Sequence, residues 1–363
     1  MKFVETMLNQ KLLWGTLLAL GTGAAAAQSS VTIGGVMDVS ARSVKNAGSS
    51  AVQSLASGAN STSRLYFRGE EDLGAGLSAG FWLETGINVD SGATTGGTQF
   101  YDRRATLSLT SRSAGEIRMG RDYVPTYTTW SRHDPFSHVG VAGSNNFSTS
   151  SQQGPIRAAF GTNPNTTVRA NNAVEYLLPA GLGGLEGGLM VAAGEGGTTA
   201  NGQDKVVAAR IGWQGPWFGV NAAHGVTEND LMAGGKFKDS VLGVNGAIGP
   251  VKLAAAWRRY EQASAEQTNV MLSGIASFGA VDVKASYLKA NMKGSVGATV
   301  IDANDASQFG IGAVYNFSKR TAAYAQASRL ANDGRATFVI PGGATLSAGG
   351  TSSGWEAGLR HNF

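Results

Sequence analysis

The chain has 363 residues, 52 glycines, no cysteine and a formal net charge of +4. So mild a charge gives no argument for nucleic-acid binding, and an exported protein of this composition must hold its fold without disulfides. Mean hydropathy is −0.08 and the only long apolar run is at the amino terminus, which excludes a helical membrane protein.

The amino terminus predicts a secretory signal peptide at residues 1–27. Lys2 and Lys11 precede an apolar run, and Ala25-Ala26-Ala27 forms a small-residue cleavage site. The run is shorter than the roughly 20 residues that a membrane-spanning helix needs. We therefore expect an exported protein whose mature chain covers residues 28–363.

Short segments of alternating apolar and polar residues recur through the mature chain, separated by clusters of Gly, Asn, Asp and Ser. A period of two is typical of strands whose two faces meet different surroundings. In chain order the segments are residues 31–40, 64–71, 77–86, 103–110, 116–121, 168–178, 185–194, 206–213, 217–225, 237–248, 251–260, 269–278, 281–288, 308–317, 321–329 and 355–363.

These segments predict an all-β fold, a transmembrane antiparallel β-barrel of about 16 strands. An even number of strands is usual for bacterial outer-membrane barrels, as is the alternation of short turns with long loops. Gly249-Pro250 is one such turn, and residues 330–352 form one such loop. An all-β soluble sandwich is the alternative, but it does not explain this asymmetry.

The last predicted strand ends on an aromatic residue. Alternate residues from Trp355 to Phe363 are mostly apolar, and those between them are polar or small. Outer-membrane barrels end in this way, with the terminal aromatic in the membrane interface. We expect this strand to pair with residues 31–40, because closure removes the last unpaired edge.

The longest interruption of the strand pattern runs over residues 122–167. It contains aromatic residues such as Tyr127, Trp130 and Phe136, which need a surface on which to pack. A loop of this length is usually functional. Inside a barrel the available surface is the inner wall, so we predict that this long third loop folds into the lumen.

Six stretches, in this order along the chain, resemble the trimeric general-diffusion porins of Gram-negative outer membranes, particularly the β-proteobacterial branch. They are QSSVTIGGVMD at 28–38, SRLYFRGEEDLG at 63–74, GLSAGFWLE at 76–84, GRDY at 120–123, VRANNAVEY at 168–176 and GLRHNF at 358–363.

The resemblance implies a pore constriction between the third loop and a row of wall arginines. By motif, the wall arginines are Arg64, Arg103 and Arg169, and the acidic member on the loop is Asp134. The loop lacks the second carboxylate that many cation-preferring porins carry. The resemblance also makes Phe363 part of the signal that the barrel-assembly machinery reads.

Alternation supports some of these assignments and opposes one. Arg64 and Arg68 share a face opposite Leu65 and Phe67, which places both in the lumen. Arg169 likewise shares a face with Asn171 and Glu175. For the neighbouring strand, alternation sends Arg104 inward, whereas the resemblance favours Arg103, and both remain candidates.

The expected function is a water-filled channel for passive diffusion of small hydrophilic solutes and ions, with a preference for anions. Three arginines against one aspartate give a positive constriction, which favours anions. Pairing with carboxylates such as Glu70 and Glu175 would weaken this preference. Two alternatives remain, a substrate-specific outer-membrane channel and an outer-membrane barrel enzyme, although the four histidines form no His-Glu-x-x-His motif.

The resemblance also implies the protein's surroundings. We expect a homotrimer in the Gram-negative outer membrane, in contact with outer-membrane lipid and lipopolysaccharide, and assembled by the barrel-assembly machinery. Small hydrophilic or anionic solutes are the expected ligands. We expect no metal, no cofactor and no nucleic-acid partner.

Overall fold

The computed structural model describes residues 30–148, 154–161, 166–194, 204–228 and 234–363. The predicted signal peptide lies outside these ranges. The described elements are β1 (Ser30–Asn46), β2 (Val52–Ser57), β3 (Arg64–Gly74), β4 (Leu77–Gly86), β5 (Arg104–Ser111), β6 (Gly115–Tyr123), α1 (Pro125–Ser131), a 3-10 helix (Ser144–Phe147), α2 (Pro155–Phe160), β7 (Arg169–Leu177), β8 (Leu185–Ala192), β9 (Lys205–Gln214), β10 (Phe218–Glu228), β11 (Phe237–Ile248), β12 (Val251–Gln262), β13 (Ala265–Phe278), β14 (Val281–Lys293), β15 (Ser295–Val296), β16 (Thr299–Val300), β17 (Ala306–Asn316), β18 (Thr321–Asn332) and β19 (Thr351–Asn362).

Sixteen of these strands form a closed barrel, namely β1, β3 to β14 and β17 to β19. Each pairs antiparallel with its neighbour, and β19 pairs with β1. The first part of β1 pairs with β3, and its second part pairs with the short β2. The strands β15 and β16 form a small separate hairpin. The prediction of an antiparallel barrel of about 16 strands is confirmed. Among the described residues, no helix has the length and hydropathy to cross a membrane.

The carboxy-terminal strand closes the barrel, as expected. Its register pairs Val36 with Asn362 and Asn46 with Ser352. Beyond the strand, Phe363 and Gly35 exchange two backbone hydrogen bonds of 3.1 Å. The terminal residue therefore completes the pairing of the last edge, and its role as an assembly signal stays a prediction.

The outer face of the barrel is apolar. Val31, Leu107 and Leu242 are each more than half exposed, as are many other outward-facing residues. Trp217 and Phe317 are exposed beside turns, as expected for an interfacial girdle. Tyr260 also lies near a strand end, but it is fully buried in an apolar cluster with residues of α2 and is not part of this girdle.

Two loops fill one side of the lumen. We call the described residues 124–148, 154–161 and 166–168 the constriction loop and residues 333–350 the last loop. Phe147 of the constriction loop lies 5.0 Å from Phe338 of the last loop, measured between ring centroids. Both rings belong to an apolar cluster that also contains residues of β11 to β14 and β17 to β18. The open channel therefore lies on the other side, along β3 to β7.

Candidate pore constriction

One end of the constriction loop is fixed to the wall by a buried ion pair. Helix α1 begins at Pro125. Proline is well tolerated at a first helical position, because the N–H that it lacks would have no partner within the helix. The helix places Trp130 against the wall. Arg258 on β12 is fully buried, binds Asp239 at 2.7 Å and donates to the Thr167 carbonyl at 3.0 Å. Its guanidinium carbon also lies 6.0 Å from the centre of a Trp130 ring.

The middle of the loop is held by a buried glutamate of β19. The Val141 N–H donates to Glu356 Oε1 at 2.7 Å, and Arg42 binds the other oxygen at 2.7 Å. Gln326 donates to the same carboxylate at 2.6 Å. Gly140 has φ +73°, and a Cβ at this position would overlap the Gln326 amide and a neighbouring carbonyl, so the close approach requires glycine.

Asp134 is turned into the loop rather than towards the lumen. Its side chain is 1% exposed, and its oxygens accept the backbone N–H groups of Phe136 at 2.8 Å, His138 at 3.2 Å and Ser144 at 2.7 Å. Burial raises the pKa of Asp134, against the opposing effect of these donors. The expectation of a carboxylate facing the wall arginines is therefore wrong, because loop amides without other partners take up its oxygens.

His138 lies beside this carboxylate and is fully enclosed. Its Nδ1 lies 2.6 Å from Ser144 Oγ. Burial, and then the positive charges of Arg258 and Arg169, lower the pKa of His138 to about 3. The histidine is therefore neutral at physiological pH and adds no charge to the loop.

On the opposite wall, Glu84 joins two of the predicted arginines. Arg103 Nε lies 2.6 Å from Glu84 Oε1, and Arg64 Nε lies 3.8 Å from the same oxygen. Trp82 donates to Oε2 at 3.1 Å. Arg103 precedes β5, which begins at Arg104, so strand alternation does not determine the direction of its side chain.

Arg103 and Arg169 meet at one phenol. Nη2 of Arg103 donates to the Tyr123 hydroxyl at 2.7 Å, and Nη2 of Arg169 donates to it at 2.9 Å. The guanidinium of Arg169 also lies 4.4 Å from the Tyr123 ring centre. Arg64, Arg103 and Arg169 are thus linked through Glu84 and Tyr123.

Arg104 and Arg68 form a second group with Trp82. Arg104 lies 4.9 Å and Arg68 5.5 Å from the Trp82 ring, as measured from each guanidinium carbon. Arg104 also pairs with Asp122 at 3.3 Å. Both candidate arginines therefore contact groups of the inner wall. Arg104 does so because strand alternation points it inward, and Arg103 does so from the loop that precedes β5.

Strand alternation does not determine the direction of the Arg169 side chain. The pairing of β6 with β7 shifts register between Gly120 and Asp122, and Asn172 has φ +53°. A bulge of this kind breaks the period of two. Arg169 and Glu175 lie on opposite sides of this bulge along β7. Arg169 contacts Tyr123, whereas Glu175 pairs with Arg118 at 3.5 Å.

The linked group has a net positive charge. Three guanidinium groups, those of Arg64, Arg103 and Arg169, stand against one carboxylate, Glu84, which gives 3 − 1 = +2. In the described part of the chain, Arg68 and Arg169 have no carboxylate within ion-pair distance. Glu70 does not pair with any of these arginines there.

Sequence reasoning missed Glu84, Tyr123, Arg118 and Glu356. Glu84 follows Trp82 on the polar face of an alternating strand, and Glu356 lies on the polar face of the last strand, so alternation could have placed both. Their partners come from distant parts of the chain. Tyr123 gave no such signal, because its role depends on two arginines that are 20 and 46 residues away.

Comparison with known proteins gives consistent matches. A family model described as Gram-negative porin matches residues 15–335. Outer membrane porin protein 32 of Delftia acidovorans is 34% identical over 373 residues, which cover 98% of this chain and all of that protein. An outer membrane porin protein of Bordetella pertussis is 31% identical over 187 residues, 48% of this chain and 45% of that protein.

Solved structures agree with this match. The anion-selective porin from Comamonas acidovorans is 30% identical, with a TM-score of 0.79 over 93% of this chain and 100% of that one. The trimer form of the outer membrane protein OmpT of Vibrio cholerae is 14% identical, with a TM-score of 0.62 over 92% of this chain and 99% of that one. The second likeness concerns the fold alone.

Proposed function

The chain belongs to the Gram-negative porin family and forms a channel in the outer membrane, and we propose that this channel prefers anions. The observation that carries the proposal is the +2 group of Arg64, Glu84, Arg103 and Arg169, which faces a loop whose Asp134 carboxylate is enclosed. A charged group beside a narrow pore with low-dielectric walls raises the local concentration of counter-ions.

Charge pairing on the wall does not remove this field. Glu84 serves both Arg64 and Arg103, so one negative charge is shared between two positive ones. Arg68 adds a further positive charge near Trp82. A related structure, 30% identical, is described as an anion-selective porin, which supports the same direction.

The preferred solute class follows from these groups. The passage is for small hydrophilic anions in general, because arginine fits carboxylate, phosphate and chloride alike. The family is one of channels and not of enzymes. We also propose a homotrimer, supported by the trimer form of a protein of the same fold, which native mass measurement in detergent tests.

The test of anion preference is the reversal potential in a planar bilayer under a potassium chloride gradient. We expect wild-type protein to favour chloride, and the triple variant Arg64→Gln, Arg103→Gln, Arg169→Gln to lose most of that preference. One unit charge at about 10 Å in water changes the free energy of an ion by about 0.4 kcal/mol, or about twofold in permeability.

The matched control is Arg329→Gln, because Arg329 is an exposed arginine of β18 and, among the described residues, contacts none of these groups. We expect its reversal potential to equal that of the wild type. A wild-type preference for potassium would contradict the proposal. An unchanged triple variant would show that another part of the wall sets the selectivity.

A further inference from the structure

Lys284 and Arg360 are two inward-facing cations near the short-turn end of the barrel, away from the constriction. Lys284 is the fourth residue of β14, and Arg360 lies two residues before the end of β19. Alternation places Arg360 on the same face as the buried Glu356. Both cations are partly buried, and in the described part of the chain neither has a carboxylate within ion-pair distance.

The strand neighbour of Arg360 is an aspartate whose oxygens are already taken. Asp38 of β1 lies directly opposite Arg360 in the register of β1 with β19. Its carboxylate accepts three backbone N–H groups of residues 59–61, at 2.8–3.2 Å, and the Tyr324 hydroxyl at 2.5 Å. Because four donors satisfy this carboxylate, it forms no ion pair with Arg360.

Lys284 is in the same situation. Its ammonium donates to Asn60 Oδ1 at 3.3 Å. Asp282, two residues away, accepts a serine hydroxyl at 2.6 Å and a side-chain amide at 2.9 Å instead. Among the charged neighbours of Lys284, Arg360 has the largest electrostatic effect, ahead of Asp282. The two cations therefore lie near each other without a carboxylate between them.

A buried amide completes the group. Asn60 is 2% exposed, and its Oδ1 accepts from Lys284. Its Nδ2 and the Nε of Arg360 are buried and have no hydrogen-bond partner among the described residues. Ammonium and guanidinium groups have donors and no acceptor. Since buried donors and charges are normally paired, a cluster made only of donors is suited to an anion.

We propose that Lys284, Arg360 and Asn60 form a binding site for a small multivalent oxyanion, of which inorganic phosphate is the simplest. Two cations without a carboxylate match the charge of a dianion. Their unused N–H groups match several oxygens of one tetrahedral ion, and charge-assisted hydrogen bonds of this kind are short and strong. Chloride is a single atom with one charge, so it satisfies fewer of these donors.

An ion at this site connects three separate parts of the chain, namely β14, β19 and residues 59–61. Since β19 closes the barrel, the bound ion stabilises the closure. A ligand that binds only the folded protein raises its stability as the ligand concentration rises. The site therefore acts on stability, and it does not rest on the proposed anion preference.

The experiment measures the thermal unfolding midpoint in detergent as inorganic phosphate is raised, with potassium chloride adjusted to keep the ionic strength constant. We expect the wild-type midpoint to rise by about 2 °C and then to level off. Lys284→Met and Arg360→Gln should each lose this saturable rise. Phosphate also stabilises proteins because it is excluded from their surface, but that effect does not saturate and is common to all variants.

Three further variants serve as controls. Lys289→Met is the matched control, because Lys289 is an exposed lysine of the same strand and lies on its opposite face. Lys284→Arg keeps the positive charge, and we expect it to retain most of the rise. The triple variant of Arg64, Arg103 and Arg169 to Gln should retain all of it, because the constriction is a separate group.

Each outcome decides between the site and its alternatives. A wild-type midpoint without a saturable rise would overturn the proposal, as would an equal rise in Lys284→Met and Lys289→Met. Loss of the rise in the triple variant would mean that phosphate acts at the constriction instead, which also overturns it. A wild-type channel without anion preference in bilayers would contradict the proposed function and leave these midpoints unaffected.

Discussion

The two sides of the lumen use the same residue types for different purposes. On the filled side, Arg258 is 0% exposed and pairs with one carboxylate, so its charge anchors the constriction loop. On the open side, the side chain of Arg64 is 27% exposed and shares Glu84 with Arg103. Full burial requires that charges be paired, whereas contact with water permits an excess of positive charge.

Two glutamates also differ between the filled side and the open side of the lumen. Glu356 accepts from Arg42, Gln326 and the Val141 backbone, and its side chain is fully buried. Glu84 accepts from Arg103 and Trp82 beside the open channel. The first therefore determines where the loop lies, and the second determines how much positive charge the channel presents.

The largest expected effect comes from Glu356→Ala. The variant leaves Arg42 and the Val141 N–H without their carboxylate, and breaking a buried pair costs about 3–5 kcal/mol. We expect a lower thermal unfolding midpoint in detergent and greater open-channel current noise, because the middle of the loop is released.

The control for this prediction is Glu186→Gln. Glu186 pairs with Arg132 at a more exposed site, with side chains 34% and 40% exposed, where an ion pair contributes about 0–1 kcal/mol. Equal noise and equal midpoints in the two variants would mean that Glu356 does not hold the loop.

A smaller effect, of a different kind, is expected from Glu84→Gln. Removing the one carboxylate of the linked group changes its charge from +2 to 3 − 0 = +3. One added unit charge at about 10 Å in water corresponds to about a twofold increase in anion preference. The reversal potential checks this, and a shift towards potassium would contradict our account of the open side.

A third effect, on stability, is expected from acid on the filled side. The pKa of His138 is about 3 in the folded protein, below its ordinary value of 6.5. The unfolded chain therefore binds this proton more tightly, and the stability contributed by the neutral histidine is present above pH 6.5 and is lost as pH falls towards 3.

Thermal unfolding midpoints between pH 7 and pH 4 measure this dependence. We expect the midpoint to fall with pH, and to fall less in His138→Gln than in the wild type. An identical decline in both proteins would assign the acid dependence to other groups.

Much of the barrel could be predicted from the chain. Segments such as 237–248 and 251–260 lie close to β11 and β12, because outward residues meet lipid and inward residues meet water or loop. The turn at Gly249-Pro250 also lies where expected. The directions of the constriction side chains were harder to predict. Arg103 lies before β5 and Arg169 lies next to a bulge, and strand alternation applies at neither position.

The sequence by itself determined the barrel and its closing strand, and it predicts which arginines line the constriction. These features follow from local periods and motifs. Only the tertiary structure decided that Asp134 turns into its own loop. It also decided that Glu84 contacts both Arg64 and Arg103, and that Tyr123 joins Arg103 to Arg169. Each of these depends on partners from separate strands and loops, and hydrogen bonds between such groups form only after the barrel has brought them within about 3 Å of each other.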